Sequence, residues 1–219
     1  MKIFVYGASA QAKNVLEVIE RVGIYDIEFF YSDWVSETTE ICGIEVVFGP
    51  QELKKRLEAI EVDSPFGFVT AIGNPRGNER INISESLADI GLEPASIISD
   101  QAYVSRRAKL GRGVQIMPGC IVMSDVSIGD FVILNPKSSV AHDCLISQGC
   151  ELSTGATLAG NVILEKNVWV GAGATVMPRI RIGENSIIGA GSVVTKNIPA
   201  NSVCAGIPCR VIRERGSTE

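Results

Sequence analysis

The second half of the chain carries an aliphatic residue at every sixth position, without interruption. The run comprises Ile98, Val104, Leu110, Ile116, Val122, Ile128, Leu134, Val140, Ile146, Leu152, Leu158, Leu164, Val170, Val176, Ile182, Ile188 and Val194. Four residues after each of these anchors stands a small or β-branched residue, from Ala102 to Ile198. A period of six fits neither an α-helix nor a flat strand. It predicts a solenoid in which short strands alternate with turns and every sixth side chain enters one narrow core.

The same period sets the size and shape of the solenoid. Three six-residue faces close one coil, so the run predicts nearly six coils, which stack at about 4.8 Å into a prism roughly 27 Å long. The flat outer faces of so short a prism are expected to contact other copies of the chain. Because the hexads leave no room for a long loop, a site on the prism must use its corners.

The first hundred residues alternate between strand-like and helix-like patterns. Apolar runs at residues 2–6, 27–31 and 66–72 are each followed by loop residues and then by helical spacing. The middle helix is predicted after Gly49-Pro50, with Leu53, Leu57 and Ile60 on one face. This alternation predicts a small, mostly parallel α/β domain over residues 1–97, followed by the solenoid over residues 98–219.

Three loops of the predicted α/β domain are expected to share one crevice, because ligands bind beyond the carboxyl ends of parallel strands. These loops are Gly7–Ala12, Ser32-Asp33 and Gly73-Asn74. The first loop lacks the three glycines of the dinucleotide fingerprint, which argues against an NAD site. A phosphate would still meet the free N–H groups at the start of the following helix. The alternative is a tight turn that binds nothing.

Composition narrows the classes of function. The chain has 219 residues, a net charge of −5 and 6% aromatic residues, and no basic face, which argues against nucleic acid as a partner. It has no apolar run of 18 residues and no signal peptide, so we expect a cytoplasmic protein without membrane insertion. The six cysteines show no metal-binding spacing. Cys120, Cys144 and Cys150 fall in the inward register and are expected to be buried free thiols.

The chain has a single histidine, His142, between the inward positions Val140 and Cys144. Its side chain is therefore expected near a corner of the prism, pointing outward, with Asp143 beside it and Asn135 at another outward position. Imidazole is suited to general-base work near neutral pH, although a lone histidine is more often structural or simply solvated. One histidine also argues against a zinc site, and the register of Cys144 argues against a Cys–His nucleophile.

Four motifs together with the hexads resemble a known family. They are Val5-Tyr6-Gly7-Ala8-Ser9, Ala71-Ile72-Gly73-Asn74, His142-Asp143-Cys144 and Gly206-Ile207-Pro208-Cys209-Arg210. In this order they are similar to the sialic acid O-acetyltransferase and nucleotide-amino-sugar N-acetyltransferase family. The resemblance implies an α/β nucleotide-sugar domain followed by a left-handed parallel β-helix of hexapeptide repeats. It also implies a homotrimer in which acetyl-CoA lies in the groove between neighbouring prisms.

The resemblance assigns roles to residues of this chain. His142 is expected to take a proton from the sugar amine or hydroxyl as it attacks the thioester, with Asp143 orienting the imidazole. The backbone N–H of Gly160, one coil above His142, is expected to support the acetyl carbonyl. The residues expected to bind the acceptor are Asn135, Gly7, Ser9, Gln11, Asp33, Gly73 and Asn74. Those expected to bind the donor are Gly160, Glu151, Ala172 and Ala190.

Two positions depart from the family pattern. The first loop lacks two glycines and a histidine of the usual Gly-x-x-Gly-His-Gly, which leaves Gln11 to donate to a phosphate or sugar. Glu151 stands where many members carry a second histidine that contacts the acetyl group or CoA, and an ionised carboxylate does not donate a hydrogen bond.

These observations predict an acetyl-CoA-dependent N-acetyltransferase that acts, without a metal, on a nucleotide-linked amino sugar such as a UDP-4-amino sugar. The resemblance sets this reaction in the biosynthesis of cell-surface glycan precursors. Two alternatives stay open. One is an O-acetyltransferase acting on sialic acid or another sugar, and the other is a non-catalytic nucleotide-sugar sensor or scaffold.

Overall fold

The computed structural model describes residues 1–35, 37–59 and 66–216. The N-terminal elements are β1 (Lys2–Tyr6), α1 (Ala10–Val22), β2 (Asp26–Ser32), β3 (Glu40–Ile41), β4 (Ile44–Phe48), α2 (Pro50–Glu58), β5 (Phe66–Thr70), α3 (Gly77–Asp89) and β6 (Glu93–Pro94). The strands form one sheet in the order β3-β4-β2-β1-β5-β6, in which only the β3–β4 pair is antiparallel. The prediction of a mostly parallel α/β fold is confirmed, whereas β3, β4 and β6 were not predicted.

Apolar clusters cover both faces of this sheet. On one face α1 buries Val15, Leu16 and Ile19 in a cluster that continues into the core of the second half of the chain. On the other face Leu53 and Leu57 of α2 pack against a cluster rich in phenylalanine, as their spacing predicted. Ile60, the third residue of that predicted face, lies outside the described residues.

The second half forms a three-sided parallel β-helix, as the hexads predicted. The first face contains the strands Ile97–Ile98, Gln115–Ile116, Ile133–Leu134, Glu151–Leu152, Trp169–Val170, Ile187–Ile188 and Ser202–Ala205. The second face contains Tyr103–Val104, Ile121–Val122, Ser139–Val140, Thr157–Leu158, Thr175–Val176 and Val193–Val194. The third face contains Lys109–Leu110, Ser127–Ile128, Leu145–Ile146, Ile163–Leu164 and Arg181–Ile182.

Two features of each hexad build this prism. The anchors and the small residues four places later point inward, as Val140 and Cys144 do with no exposed surface. The third residue after each anchor turns the corner with a positive φ at every position from Gly113 to Gly191. Glycine, asparagine and aspartate tolerate that conformation best. The predicted inward register of Cys120, Cys144 and Cys150 is confirmed, since all three are buried free thiols.

Residues 202–214 form one edge of the first face. Ser202–Ala205 pairs with the antiparallel strand Arg210–Glu214, and a cis peptide bond joins Ile207 to Pro208 between them.

Across the described parts of the chain, none of the helices has the length and apolar character needed to cross a membrane. The division of the chain at residues 97 and 98 remains a prediction about folding units.

The α/β domain docks on the first face of the prism and on the corner between the third and first faces. Arg80 of α3 is completely buried there, and its guanidinium donates to the carbonyl oxygens of Ile72, Phe131 and Gly149 at 2.6–2.8 Å. Gly77 lies so close to the backbone of Gly149 that an added methyl group would overlap it. These contacts fix the α/β domain against the β-helix.

Candidate active site

A cavity of about 840 Å³ lies where the carboxyl ends of β1, β2 and β5 face the first side of the prism. Its lining comes from both halves of the chain. The α/β domain contributes Tyr6, Gly7, Ala8, Ser9, Ala10, Gln11, Asn14, Ser32, Asp33, Trp34, Ala71, Ile72, Gly73, Asn74, Arg76 and Glu79. The prism contributes Asn135, Glu151, Ser153, Thr154, Trp169, Ala172 and Ala190.

The loop after β1 requires its glycine. Gly7 has a φ of +116°, and a Cβ at this position would lie 2.7 Å from the carbonyl oxygen of Ala71. The close approach arises because the paired strands β1 and β5 continue side by side into their loops, with the Ala71 N–H donating to the Tyr6 carbonyl. The loops that begin at Gly7 and Gly73 are thereby held side by side at the rim of the cavity.

Asp33 presents a fixed carboxylate at the other side of the rim. The Tyr6 hydroxyl donates to its Oδ2 at 2.6 Å, and the Tyr31 hydroxyl donates to its Oδ1 at 2.8 Å. Burial raises the pKa of both phenols, and the hydrogen bonds to Asp33 raise them further. Both tyrosines therefore remain protonated donors, and the carboxylate keeps lone pairs for a second donor such as a ribose hydroxyl or a base N–H.

Glu151 is a buried acid at the floor of the cavity. Its Oε1 accepts a hydrogen bond from Asn135 Nδ2 at 3.0 Å, and Arg80 Nη1 lies 3.7 Å from its Oε2. Burial raises the pKa of Glu151, and the positive charge of Arg80 partly opposes that effect. Burial likewise lowers the pKa of Arg80, but a guanidinium does not deprotonate in proteins. The two residues form a buried ion pair beneath the cavity.

His142 lies at the corner between the second and third faces. Its Nδ1 is 2.7 Å from Asp143 Oδ2, so Nδ1 carries the proton that the carboxylate accepts, and Nε2 is left with a lone pair. Gly160, one coil above, meets the ring edge, because a Cβ there would lie 2.7 Å from both Cε1 and Nε2. Both side chains are more than half exposed, at 62% for His142 and 53% for Asp143.

The predicted site residues therefore fall into two groups. Those that line the cavity are Gly7, Ser9, Gln11, Asp33, Gly73, Asn74, Asn135, Glu151, Ala172 and Ala190. His142, Asp143 and Gly160 form the second group, and they are not among the described residues that line the cavity. Gln11 also differs from expectation in its contacts. It is buried, and its amide donates to Gln115 Oε1 across the domain boundary at 2.9 Å.

Sequence reasoning missed several side chains that shape the site, among them Tyr6, whose hydroxyl donates to Asp33. Arg80 and Gln115 connect the two halves of the chain, while Trp169 and Tyr31 flank the carboxylates of Glu151 and Asp33. Trp169 could have been identified from the sequence, because it follows Glu151 by one full coil in the same outward register. The partners of Arg80 depend on how the domains dock, which the hexads do not encode. In the described ranges 1–35, 37–59 and 66–216, no three acidic, histidine or cysteine side chains cluster as metal ligands.

Comparison with known families agrees with the two halves of the fold. The PglD N-terminal domain family matches residues 2–87. The bacterial transferase hexapeptide family matches residues 107–142 and 161–196.

One sequence relative matches part of the chain, and two solved structures match nearly all of it. The GDP-perosamine N-acetyltransferase of Escherichia coli O157:H7 is 35% identical over 79 residues, which cover 36% of this chain and 35% of that protein. The acetyltransferase domain of PglB from Neisseria gonorrhoeae FA1090, solved in complex with acetyl coenzyme A, is 28% identical with a TM-score of 0.87, over 96% of this chain and 98% of that one. PerB from Caulobacter crescentus, solved with CoA and GDP-perosamine, is 27% identical with a TM-score of 0.86, over 97% of this chain and 98% of that one.

Proposed function

We propose that this chain, whose two halves match the PglD N-terminal domain family and the bacterial transferase hexapeptide family, transfers an acetyl group from acetyl-CoA to the amine of a nucleotide-linked amino sugar. The observation that carries the proposal is the shared cavity, in which the loops of the α/β domain meet Asn135 and Glu151 of the prism. The relatives solved with acetyl coenzyme A and with GDP-perosamine support this choice of donor and acceptor.

The nucleotide sugar occupies the cavity in this proposal. The N–H groups at the start of α1, which follows Gly7–Ser9, favour a diphosphate. Asp33 lies at the rim, where the nucleoside extends, and Gly73 with Asn74 holds the sugar over Asn135. Ala172 and Ala190 line the cavity at the corner between the first and second faces. Their small side chains leave room for pantetheine against the prism wall.

His142 acts as the general base. Its Nε2 removes a proton from the amine as the nitrogen attacks the thioester carbonyl, and the N–H of Gly160 supports the developing oxyanion. The new C–N bond forms, the C–S bond breaks, and the CoA thiolate takes the proton from the His142 imidazolium, which releases CoA and restores the base. Asp143 accepts from Nδ1 and stabilises the imidazolium that forms transiently.

The base and the cavity belong to different subunits in this proposal. His142 and Gly160 stand at the corner between the second and third faces, whereas the cavity opens on the first face and its corner with the second. A three-fold arrangement of prisms brings the His142 corner of one copy against the cavity of the next. The active form is therefore a homotrimer with three shared sites.

The function is tested by CoA release from acetyl-CoA with a panel of acceptors. The panel contains GDP-perosamine, UDP- and dTDP-linked 4-amino sugars, and sialic acid. We expect release with one amino sugar and its loss in His142→Ala, with the oligomer and thermal unfolding unchanged. Release with sialic acid alone would instead establish an O-acetyltransferase. A protein that binds an amino-sugar nucleotide but never releases CoA would be a sensor.

The shared site is tested by mixing two inactive variants. His142→Ala removes the base, and Asn135→Ala removes a cavity residue. Co-expressed copies that assort at random place an intact base against an intact cavity in about a quarter of the interfaces, so about a quarter of the activity should return. A site contained within one copy would recover nothing.

A further inference from the structure

The floor of the cavity contains a carboxylate oxygen that lacks a hydrogen bond. Glu151 is only 3% exposed and lines the cavity. Its Oε1 accepts from Asn135, but within the described ranges no donor reaches its Oε2. Arg80 Nη1, at 3.7 Å, supplies charge but lies beyond hydrogen-bond distance. Buried carboxylate oxygens are almost always hydrogen-bonded, so this oxygen points to a ligand.

A buried donor without an acceptor lies beside this oxygen. Trp169 is the register partner of Glu151 on the next coil, and both side chains face outward from the first face. The indole Nε1–H is buried and donates to no described residue. It points at the Glu151 carboxylate and, together with the backbone N–H of Asn74, opposes the rise in pKa that burial causes in that acid. Glu151 Oε2 and the indole N–H therefore lie side by side at the cavity floor, and neither has a hydrogen bond of normal geometry.

Arg80 does not complete this pair. Its guanidinium is held by the carbonyl oxygens of Ile72, Phe131 and Gly149, which fix it in the domain interface. Its position balances the charge of Glu151 and leaves the lone pairs of Oε2 directed elsewhere.

We propose that Glu151 and Trp169 form a hydroxyl-binding subsite that selects the acceptor sugar, a proposal that rests on the proposed function. A sugar hydroxyl donates its hydrogen to Glu151 Oε2 and accepts the hydrogen of Trp169 Nε1. An ammonium group has no acceptor for the indole, a carbonyl has no donor for the carboxylate, and a phosphate is repelled by the negative charge. Only a group that both donates and accepts satisfies the pair, so a sugar hydroxyl fits it by taking the place that a water molecule would otherwise fill.

The position of the subsite favours the acceptor over the donor. Glu151 Oε1 lies next to Gly73, where an added Cβ would be 3.7 Å away, and it is held by Asn135. Gly73 and Asn135 are acceptor-binding residues in the proposed function. Glu151 therefore belongs with the sugar rather than with the acetyl group of CoA, the side to which the resemblance assigned it.

The test compares kcat/KM of Trp169→Phe and wild type with a parent substrate and with its analogues. The first is whichever of GDP-perosamine and the UDP- or dTDP-linked 4-amino sugars the wild type acetylates, and the second is a set of its monodeoxy analogues. An analogue without the hydroxyl leaves the buried Glu151 and Trp169 groups unpaired, so we expect one deoxy analogue to lose about 100-fold in kcat/KM with wild type. Trp169→Phe keeps the ring and removes only the N–H. It should lose about tenfold on the parent sugar and nothing further on that one analogue.

A second variant protects the test against a folding defect. Glu151→Gln keeps the size of the side chain. Its loss in kcat/KM relative to wild type, seen with the parent sugar, should also be absent with the same deoxy analogue. Equal losses on parent and analogue, or no loss on either, would overturn the subsite. So would a rise in KM for acetyl-CoA alone, which would assign the hydroxyl to pantetheine. Absence of turnover by the wild type across the whole panel refutes the proposed function, and the subsite with it, before any variant is compared.

Discussion

Replacing Gly160 by alanine tests whether the position of the His142 imidazole matters. The new Cβ would lie 2.7 Å from Cε1 and Nε2 of His142, whereas carbon atoms in contact keep about 3.5–4.0 Å apart. The ring must therefore retreat by about 1 Å. A misplacement of that size costs a catalytic group about 100-fold in rate, which corresponds to about 2.7 kcal/mol in the barrier.

The fold should tolerate this change. The imidazole is 62% exposed in the single chain and lies outside the core, so it moves away from Gly160 without disturbing the core. Gly160 also lies outside the set of residues with positive φ, so alanine fits its backbone. We expect the free energy of unfolding, measured by urea titration, to stay within about 0.5 kcal/mol of wild type.

A double-mutant cycle separates the imidazole from other effects of the methyl group. CoA release is measured for Gly160→Ala, His142→Ala and the combination, with the amino-sugar nucleotide that the wild type uses. Because the methyl group acts by moving the ring, it should have no effect once the ring is absent. A further 100-fold loss in the His142→Ala background, or an undiminished rate in Gly160→Ala alone, would refute this reasoning.

Three further predictions concern the rest of the molecule. Arg80→Met should destabilise the protein by about 3–5 kcal/mol, because it leaves a buried carboxylate unpaired. Arg76→Met, at an exposed ion pair, should cost at most about 1 kcal/mol in the same urea titration, and equal costs would contradict the buried role. Ellman's reagent at pH 8 should label Cys42 alone in the native protein. Burial raises the pKa of Cys150 to about 12, so its thiolate is scarce until the chain unfolds, and native labelling of several thiols would count against this core. Gly77→Ala should lower the free energy of unfolding by about 1–3 kcal/mol and speed proteolysis between the domains, since its methyl group overlaps the Gly149 carbonyl. Resistance to proteolysis equal to that of the wild type would show that the docking surface adjusts to the added methyl group.

The β-helix could be predicted from sequence in detail because its period is strictly local. The position of a residue within its hexad determines whether it faces inward or turns the corner. Because one coil contains three hexads, Gly160 lies directly above His142. The hairpin formed by β3 and β4 was harder to predict. Its turn residues Cys42 and Gly43 both have positive φ. A turn of this kind is usually recognised by the sequence asparagine-glycine, and here cysteine stands in place of the asparagine.

The candidate site could be predicted only loop by loop. The carboxyl ends of parallel strands meet at one edge, which brought Gly7, Asp33 and Gly73 to one cavity as expected. The sequence did not show that Gln11 would be used in the domain interface, or that Arg80 would be enclosed completely. Both outcomes depend on which face of the prism receives the α/β domain, and no local pattern records that choice.

The fixed pitch of the β-helix also constrains how this chain can change in length. Each coil contributes the same rise and the same three corners, so inserting or deleting one hexad before His142 would move the histidine to a different side of the prism. Removing one whole coil would keep its side and lower it by about 4.8 Å relative to the docked α/β domain. The separation between the histidine and the sugar-binding loops is therefore adjustable only in discrete steps. Natural variants of this protein should differ in length inside the prism by whole coils, or not at all.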